Sequence, residues 1–168
     1  MIGDYRKLSN QVLRQIKVTS PDEIDDALSG FLFAQNMDFV MKSVTAYKAI
    51  FDGDSTTMFI FFAMARASVE HLNRKKVPRD EAARGVFPDT LRRPVSILGI
   101  ADYLGLPYET TRRHVMKLVE QDFCQRQGSR EFFISEATMS RPEFRALSRE
   151  TLDLSISYIK TVSPYIEI

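Results

Sequence analysis

The chain has 168 residues, of which 44% are hydrophobic and 27% are charged, a balance typical of a globular protein and not of a disordered one. A single cysteine argues against a disulfide scaffold and against a cysteine-built zinc site, and it favours a reducing compartment. The net charge of +1 argues against a generally basic surface for binding nucleic acid.

Missing motifs narrow the function classes further. The first ten residues are polar, and the most apolar run, at 58–65, is much shorter than a membrane span. The sequence holds no glycine-rich phosphate loop, no HExxH and no GxSxG motif. We therefore expect a soluble cytoplasmic protein that is not an enzyme, takes no cofactor or metal and has no membrane partner.

The N-terminal third is predicted to be helical. Met1–Thr19 has apolar residues at helical spacing, and Ser20-Pro21-Asp22-Glu23 is a helix start with an N-cap serine and early acidic residues. The second helix is expected to run to Phe51, because Gly53 is the first breaker, unless it breaks near residues 36–38. Roughly 30 residues of helix would span about 45 Å with apolar residues on more than one side, and a partner subunit would cover this surplus.

A strongly apolar helix is predicted next. Asp54-Ser55-Thr56-Thr57 supplies the N-cap, and residues 58–72 are apolar almost all round, as expected of a buried core helix. Residues 73–93 contain two prolines and a glycine and are predicted to form a surface linker. Large apolar side chains in both helices suggest a pocket for an apolar small-molecule effector, namely Phe33, Phe39, Phe59, Phe61, Phe62 and Met64.

The spacing from Ser96 onward predicts two short helices joined by a tight turn. Ile97–Leu104 is apolar on one face with Ser96 as N-cap, and Gly105-Leu106-Pro107 combines a residue suited to positive φ with a proline suited to a helix start. The second helix, 107–121, has an inner face at spacings of three and four. That face consists of Thr111, Val115, Leu118 and Val119.

Two short runs of strand-forming residues follow, at 123–125 and 131–134, around the polar turn 126–130. They predict a β-hairpin directly after the second helix. Cys124 falls on the first of these strands, where it is either an oxidation sensor or a plain strand residue.

This order of helix, GLP turn, TTRRHVMKL helix, QDFCQRQ strand, glycine turn and strand resembles the winged helix-turn-helix of bacterial transcriptional regulators, notably the multiple-antibiotic-resistance repressor group and other one-domain repressors. The resemblance covers residues 96–134. It implies a mainly α fold with a small β-hairpin wing, in which a DNA-binding domain at 55–139 is flanked by dimerisation helices at 1–54 and 140–168. The implied activity is sequence-specific binding of double-stranded DNA by a homodimeric transcriptional regulator.

The chemistry of the second helix fits the reading of bases. Short or planar polar groups in its first turns suit base edges, and arginine pairs well with guanine. Basic and hydroxyl groups nearby suit phosphates. We therefore expect base contacts from Tyr108, Glu109, Thr110, Arg112 and Arg113, and phosphate contacts from Lys117, Arg126, Ser129, Arg130 and Ser96, with Arg92 and Arg93 beside Ser96.

Charge is distributed as this interface requires. Residues 91–130 carry seven basic and four acidic residues, whereas residues 21–54 carry two basic and seven acidic ones. Two alternatives stay open: the arginines are an ordinary solvated surface, or the winged helix is a protein-interaction module that binds no DNA.

The C-terminal segment is predicted to be a long helix. Ser140-Arg141-Pro142-Glu143 is a capping box, and Pro164 ends the apolar pattern. In the resembling regulators such terminal helices make the dimer. We expect Phe31, Met41, Leu154 and Tyr158 among the dimer contacts.

Overall fold

The computed structural model describes residues 26–73 and 86–165, which are mainly helical with one small antiparallel sheet. The predicted helix Met1–Thr19, the helix start at 20–23 and most of the predicted linker lie outside the described residues. The helices are α1 Asp26–Ala49, α2 Ser55–Asn73, α3 Ile97–Leu104, α4 Tyr108–Glu120, α5 Glu136–Met139 and α6 Pro142–Val162. The strands are β1 Val95–Ser96, β2 Gln125–Gln127 and β3 Glu131–Phe133, and 3-10 turns lie at Asp89–Leu91 and Ser163–Tyr165.

The chain forms two compact units. Within the described residues, the first unit comprises 26–46 and 149–165 and the second comprises 47–148. In the first unit the Phe39 ring stacks on the Tyr158 ring at 5.1 Å, and Phe31 meets Tyr165 edge-on at 5.0 Å. Aromatic pairs of this geometry add to the burial of their apolar area.

Helix α1 is unbroken across residues 36–38, so the alternative of a break there is wrong. It ends at Ala49, two residues before the predicted Phe51, and the turn that follows reaches Gly53 at φ +81°. The Gly53 N–H donates to the Lys48 carbonyl at 3.0 Å. Glycine takes positive φ without strain, which explains why the helix stops before this residue.

The core of the second unit is built around α2. Five of its apolar residues are buried, namely Met58, Ile60, Phe61, Ala63 and Met64, whereas Phe59 is exposed. Phe61 lies at its centre and is fully buried. Its ring stacks on Phe144 at 4.9 Å and contacts three further rings within 6.0 Å. We name this group the aromatic cluster; it consists of Phe51, Phe61, Phe62, Phe123 and Phe144.

The large apolar side chains from which the effector pocket was predicted differ in their burial. Phe61 and Met64 are fully buried, and the Phe62 ring contacts other rings of the cluster. Phe33 and Phe59, by contrast, are exposed. Close packing therefore accounts for Phe61, Phe62 and Met64 without a ligand. The apolar effector stays a prediction.

The predicted helix, turn and helix at 97–121 are present. Ser96 caps α3 by accepting from the Gly99 N–H at 3.1 Å. Gly105 adopts φ 64°, and the Leu106 N–H donates to the Ala101 carbonyl at 3.0 Å, which ends α3 in a left-handed cap. Helix α4 buries Thr111, Val115 and Leu118, as its spacing predicts, and Val119 is half-buried.

The sheet is larger than predicted. Strand β3 pairs antiparallel with β2, as a hairpin requires, but also with β1, so that the order is β1-β3-β2. Strand β2 begins at Gln125 and not at Phe123, because the Phe123 and Cys124 N–H groups donate to the Leu118 carbonyl at the exit of α4. These two residues therefore close the helix and do not form the strand.

The C-terminal helix begins at Pro142, as the capping box predicts, and gives way to a 3-10 turn after Val162, just before Pro164. Helix α5 was not predicted. It is a single turn in which the Ser135 hydroxyl accepts from the Thr138 N–H at 3.1 Å.

Candidate nucleic-acid interface

Arg113 occupies the outer face of α4. It lies two residues from both Thr111 and Val115, about half a helical turn from each, and so points away from the buried side. Its side chain is exposed, and no hydrogen bond or ion pair joins it to the residues that the structure describes. Its guanidinium is therefore available to an external acceptor such as a guanine edge.

Arg112 differs from Arg113 in having a partner. Its Nη1 lies 3.5 Å from Glu109 Oε2, and both side chains are more than half exposed. An exposed pair of this kind contributes little stability and exchanges readily with solvent or ligand. Tyr108 is exposed on the same first turns, whereas Thr110 is half-buried. The five predicted base-contacting residues thus lie on one helix but are not equally accessible.

The turn between β2 and β3 carries the other predicted contacts. Arg126 Nη2 donates to the Ser129 carbonyl at 2.7 Å, and Gly128 has φ 69°, so the arginine itself braces the turn. Ser129 and Arg130 are exposed. Arg126 is exposed as well, but part of its guanidinium is engaged with the Ser129 carbonyl.

The residues before α3 do not all serve as predicted. Arg92 is only 4% exposed, its Nε donates to the Phe87 carbonyl at 3.0 Å, and Asp89 Oδ1 lies 3.8 Å away. Burial lowers the pKa of Arg92, and the carboxylates of Asp89 and Glu136 oppose this shift. The guanidinium nevertheless remains charged. The sequence placed Arg92 beside Ser96 in the proposed phosphate region, but its side chain is enclosed and not open to an external phosphate. Arg93 and Ser96 are exposed, although the Ser96 hydroxyl is engaged in capping α3.

A polar cluster that the sequence did not reveal ties α4 to the start of α2. Asp54 is the N-cap of α2: its Oδ1 accepts from the Thr57 N–H at 3.0 Å and its Oδ2 from the Thr57 hydroxyl at 2.7 Å. Lys117 Nζ donates to the same Oδ2 at 2.8 Å, and His114 Nδ1 lies 2.7 Å from Thr57 Oγ1. We call Asp54, Thr57, His114 and Lys117 the α2–α4 network.

The charges of this network are strongly coupled. Burial of Asp54 opposes ionisation, but hydrogen bonds from Lys117 and Thr57 outweigh it and hold the pKa of Asp54 well below its usual range. Burial lowers the pKa of His114; Asp54 opposes this shift, while Arg113 and Lys117 add to it. At neutral pH Asp54 is therefore a carboxylate and the His114 imidazole is neutral.

Lys117 was predicted to contact phosphate, and the structure gives it an internal partner. The Asp54–Lys117 pair joins residues 63 positions apart, with the lysine side chain 44% exposed. The one sequence signal for this pair was the predicted N-cap at Asp54. It indicates a carboxylate at the start of α2 but does not indicate that Lys117 binds it. The phosphate contact of Lys117 stays a prediction.

Cys124 is buried just before β2. Burial raises the pKa of its thiol to about 11, a backbone N–H of Phe133 acting in the opposite direction. Since the thiolate is the reactive form, a thiol that stays protonated at neutral pH is a poor oxidation sensor. The reading as a plain structural residue is favoured.

No cluster of three or more histidine, cysteine or carboxylate side chains in the described ranges could hold a metal ion. Likewise, none of the helices in 26–73 and 86–165 has the length and apolar character needed to cross a membrane.

Comparison with known proteins gave no match: no protein-family model, no curated protein and no solved structure is significantly similar to the chain. Function therefore has to be inferred from the geometry of α3, α4 and the adjoining sheet.

Proposed function

We propose that the protein is a sequence-specific DNA-binding transcriptional regulator of the winged helix-turn-helix type, acting as a homodimer in the cytoplasm. In this proposal α4 enters the major groove and the β2–β3 turn, as the wing, lies along the backbone. The main support is Arg113, an exposed arginine with no hydrogen-bond or ion-pair partner within 26–73 and 86–165. It lies on the outer face of the second helix of a helix-turn-helix, where it is suitably placed to reach a base edge.

The sheet gives separate support for a winged helix. A hairpin alone would be free to swing, whereas β3 here is also paired with β1, which directly precedes α3. The turn with Arg126 and Arg130 is thereby anchored to both helices of the helix-turn-helix. A wing needs such anchoring to keep a fixed register with the reading helix.

The homodimer is proposed from the first unit. Phe33, Met37 and Met41 are exposed along α1, a helix about 36 Å long. Of the predicted contacts, Phe31 and Met41 are exposed, while Leu154 and Tyr158 are half-buried within the unit. A second copy would remove this apolar surface from water, and a symmetric pair would match a palindromic site.

Assembly is tested by sedimentation equilibrium at tens of micromolar protein. The wild type is expected to be a dimer, and Met41→Asp is expected to shift it towards monomer, because burying an unpaired carboxylate in an apolar interface is costly. Asn36→Asp, which adds the same charge at another exposed position of α1, should leave the dimer intact. A wild-type monomer would remove the homodimer and any palindromic operator with it.

DNA binding is tested on random-sequence duplex DNA over a series of salt concentrations. The wild type should bind with an affinity that falls as salt rises. The triple change of Arg112, Arg113 and Arg130 to alanine is expected to abolish most of this binding. The control changes Arg145, Arg149 and Lys160 of α6, which the proposal does not place on DNA, and should retain it. Equal binding by both triple variants would exclude the proposed interface.

A protein-interaction module is the second candidate. Leu98 and Tyr103 of α3 are exposed, and Tyr103 borders a groove of about 330 Å³ between α2 and α3 whose walls include Ala63, Ala67 and Ile100. An exposed apolar surface on a helix-turn-helix suits a protein partner. Failure of the wild type to bind duplex DNA at low salt would favour this second function.

A further inference from the structure

The α2–α4 network is a continuous chain of hydrogen bonds. It runs from the His114 ring through the Thr57 hydroxyl to the Asp54 carboxylate, which also binds the Lys117 ammonium. Thr57 is fully buried, and the His114 side chain is only 14% exposed. A polar chain in such surroundings is stable only when every member has its partner.

The geometry determines which atoms carry the protons. Asp54 is ionised and can only accept, so the Thr57 hydroxyl donates to Oδ2. The Thr57 oxygen is then the acceptor for His114 Nδ1, 2.7 Å away, which must carry a hydrogen. The neutral imidazole of His114 is therefore the Nδ1–H tautomer, and the charge on Asp54 selects it.

The same contacts fix α4 about its own axis. His114 and Lys117 are three residues apart and so lie on one side of α4, and both are tied to the first turn of α2. A rotation of α4 would break both attachments together. Because Arg113 directly precedes His114, the direction of its side chain depends on that rotation.

We propose that Asp54 is a positioning residue for the reading helix: through Thr57 and Lys117 its carboxylate sets the rotation of α4 and hence the direction in which Arg113 meets a base. The proposal rests on the DNA-binding function proposed above. Asp54 itself touches no DNA in this role, and its effect is on discrimination between sequences.

The test variant is Asp54→Asn. Asparagine still caps α2, since its side-chain oxygen can accept from the Thr57 N–H. Its amide group, however, donates where Oδ2 accepted, so the Thr57 hydroxyl has to turn and donate to His114 Nδ1 instead. Asp52→Asn is the matched control: Asp52 is exposed, and asparagine tolerates its φ of 50°.

The first readout is the ¹⁵N spectrum of the imidazoles at about pH 8, where His114 is neutral since its pKa lies below its ordinary value. The chain has two histidines, so the His114→Gln variant assigns the signals. Wild type and Asp52→Asn should show a protonated Nδ1 at His114, and Asp54→Asn should show a protonated Nε2. An unchanged Nδ1–H tautomer in Asp54→Asn would overturn the proposal.

The second readout compares the Kd for random duplex with the Kd for a duplex selected by the wild-type protein. Asp54→Asn is expected to lower this discrimination about tenfold, a common effect of one buried hydrogen bond left unmade. Binding to random duplex should be unchanged or tighter, because the variant has lost a negative charge. Thr57→Val should behave like Asp54→Asn, and Thr57→Ser, which keeps the hydroxyl, like wild type.

The outcomes separate this proposal from the proposed function. If the wild type binds no duplex, the proposed function fails and the positioning role with it. If the wild type discriminates and Asp54→Asn discriminates equally well, only the positioning role fails. Partial unfolding would weaken binding to both duplexes together, so a loss confined to the selected duplex supports the proposal.

Discussion

Replacing Phe61 with alanine is expected to lower the free energy of unfolding by about 3–5 kcal/mol, the usual cost of removing a buried phenylalanine. The Phe61 ring is fully buried and stacks on Phe144 with an interplanar angle of 10°. It also contacts Phe51, Phe62 and Phe123, so the cavity left behind would be bordered by rings that cannot all move inwards. A protein of this size has few kcal/mol to lose.

The measurement is urea unfolding followed by far-ultraviolet circular dichroism, with the midpoint compared at constant m-value. Phe59→Ala is the matched control, because it removes the same ring from the same helix at a position that is 48% exposed. Its effect is expected to be clearly smaller, about 1 kcal/mol, because about half of this ring is already in contact with water. Equal midpoints for the two variants would mean that the aromatic cluster does not hold the core of the second unit together.

Local sequence patterns predicted five of the six helices that the structure describes and missed only the single turn α5. Residues such as Thr111, Val115 and Leu118 recur at helical spacing, and a single helix face is enough to produce that pattern. Gly53, Gly105 and Pro142 mark helix boundaries for reasons that lie in their own backbone chemistry, so no tertiary information was needed to find them.

Features that depend on distant partners were missed. Strand β1 has two residues, and its strand character comes from pairing with β3, about 35 positions later in the chain. Arg92 looks like any other surface arginine until Phe87 and Asp89 enclose it. The carboxylate of Asp54 signals a helix cap, but its pairing with Lys117 requires the packing of α4 on α2.

In the candidate site, too, local features were predicted from the sequence and features that depend on tertiary contacts were not. The sequence supplied its residue types and their order along the chain, and these are what the resemblance to winged helix-turn-helix regulators used. The sequence did not distinguish Arg113 from Arg112. Arg113 has no partner in the part of the chain that the structure describes, whereas Arg112 is paired with Glu109. That distinction depends on which side of α4 is buried and on a side-chain contact, and it decides which arginine to test first.

Replacing Arg113 with alanine should therefore cost about 1–3 kcal/mol on the selected duplex and relax the preference at one base position. A bidentate contact to guanine forms only on sequences that have guanine at that position, so the affinity for random duplex should change much less. Arg112→Ala is the neighbouring control and should have the smaller effect on preference, since Glu109 already offsets its charge. Base preference is measured by selecting bound sequences from a random pool with each variant.

Arg130→Ala should act differently, because a phosphate contact is made on every duplex. It is expected to weaken binding to selected and random DNA alike and to reduce the slope of log affinity against log salt by about one. The two variants thus distinguish a contact of α4 with DNA bases from a contact of the β2–β3 turn with DNA phosphates. Arg113→Ala could instead weaken binding to all DNA sequences equally and leave the selected base preference unchanged. In that case α4 would contact only the DNA backbone, and the residues that recognise bases would have to be sought elsewhere on the second unit.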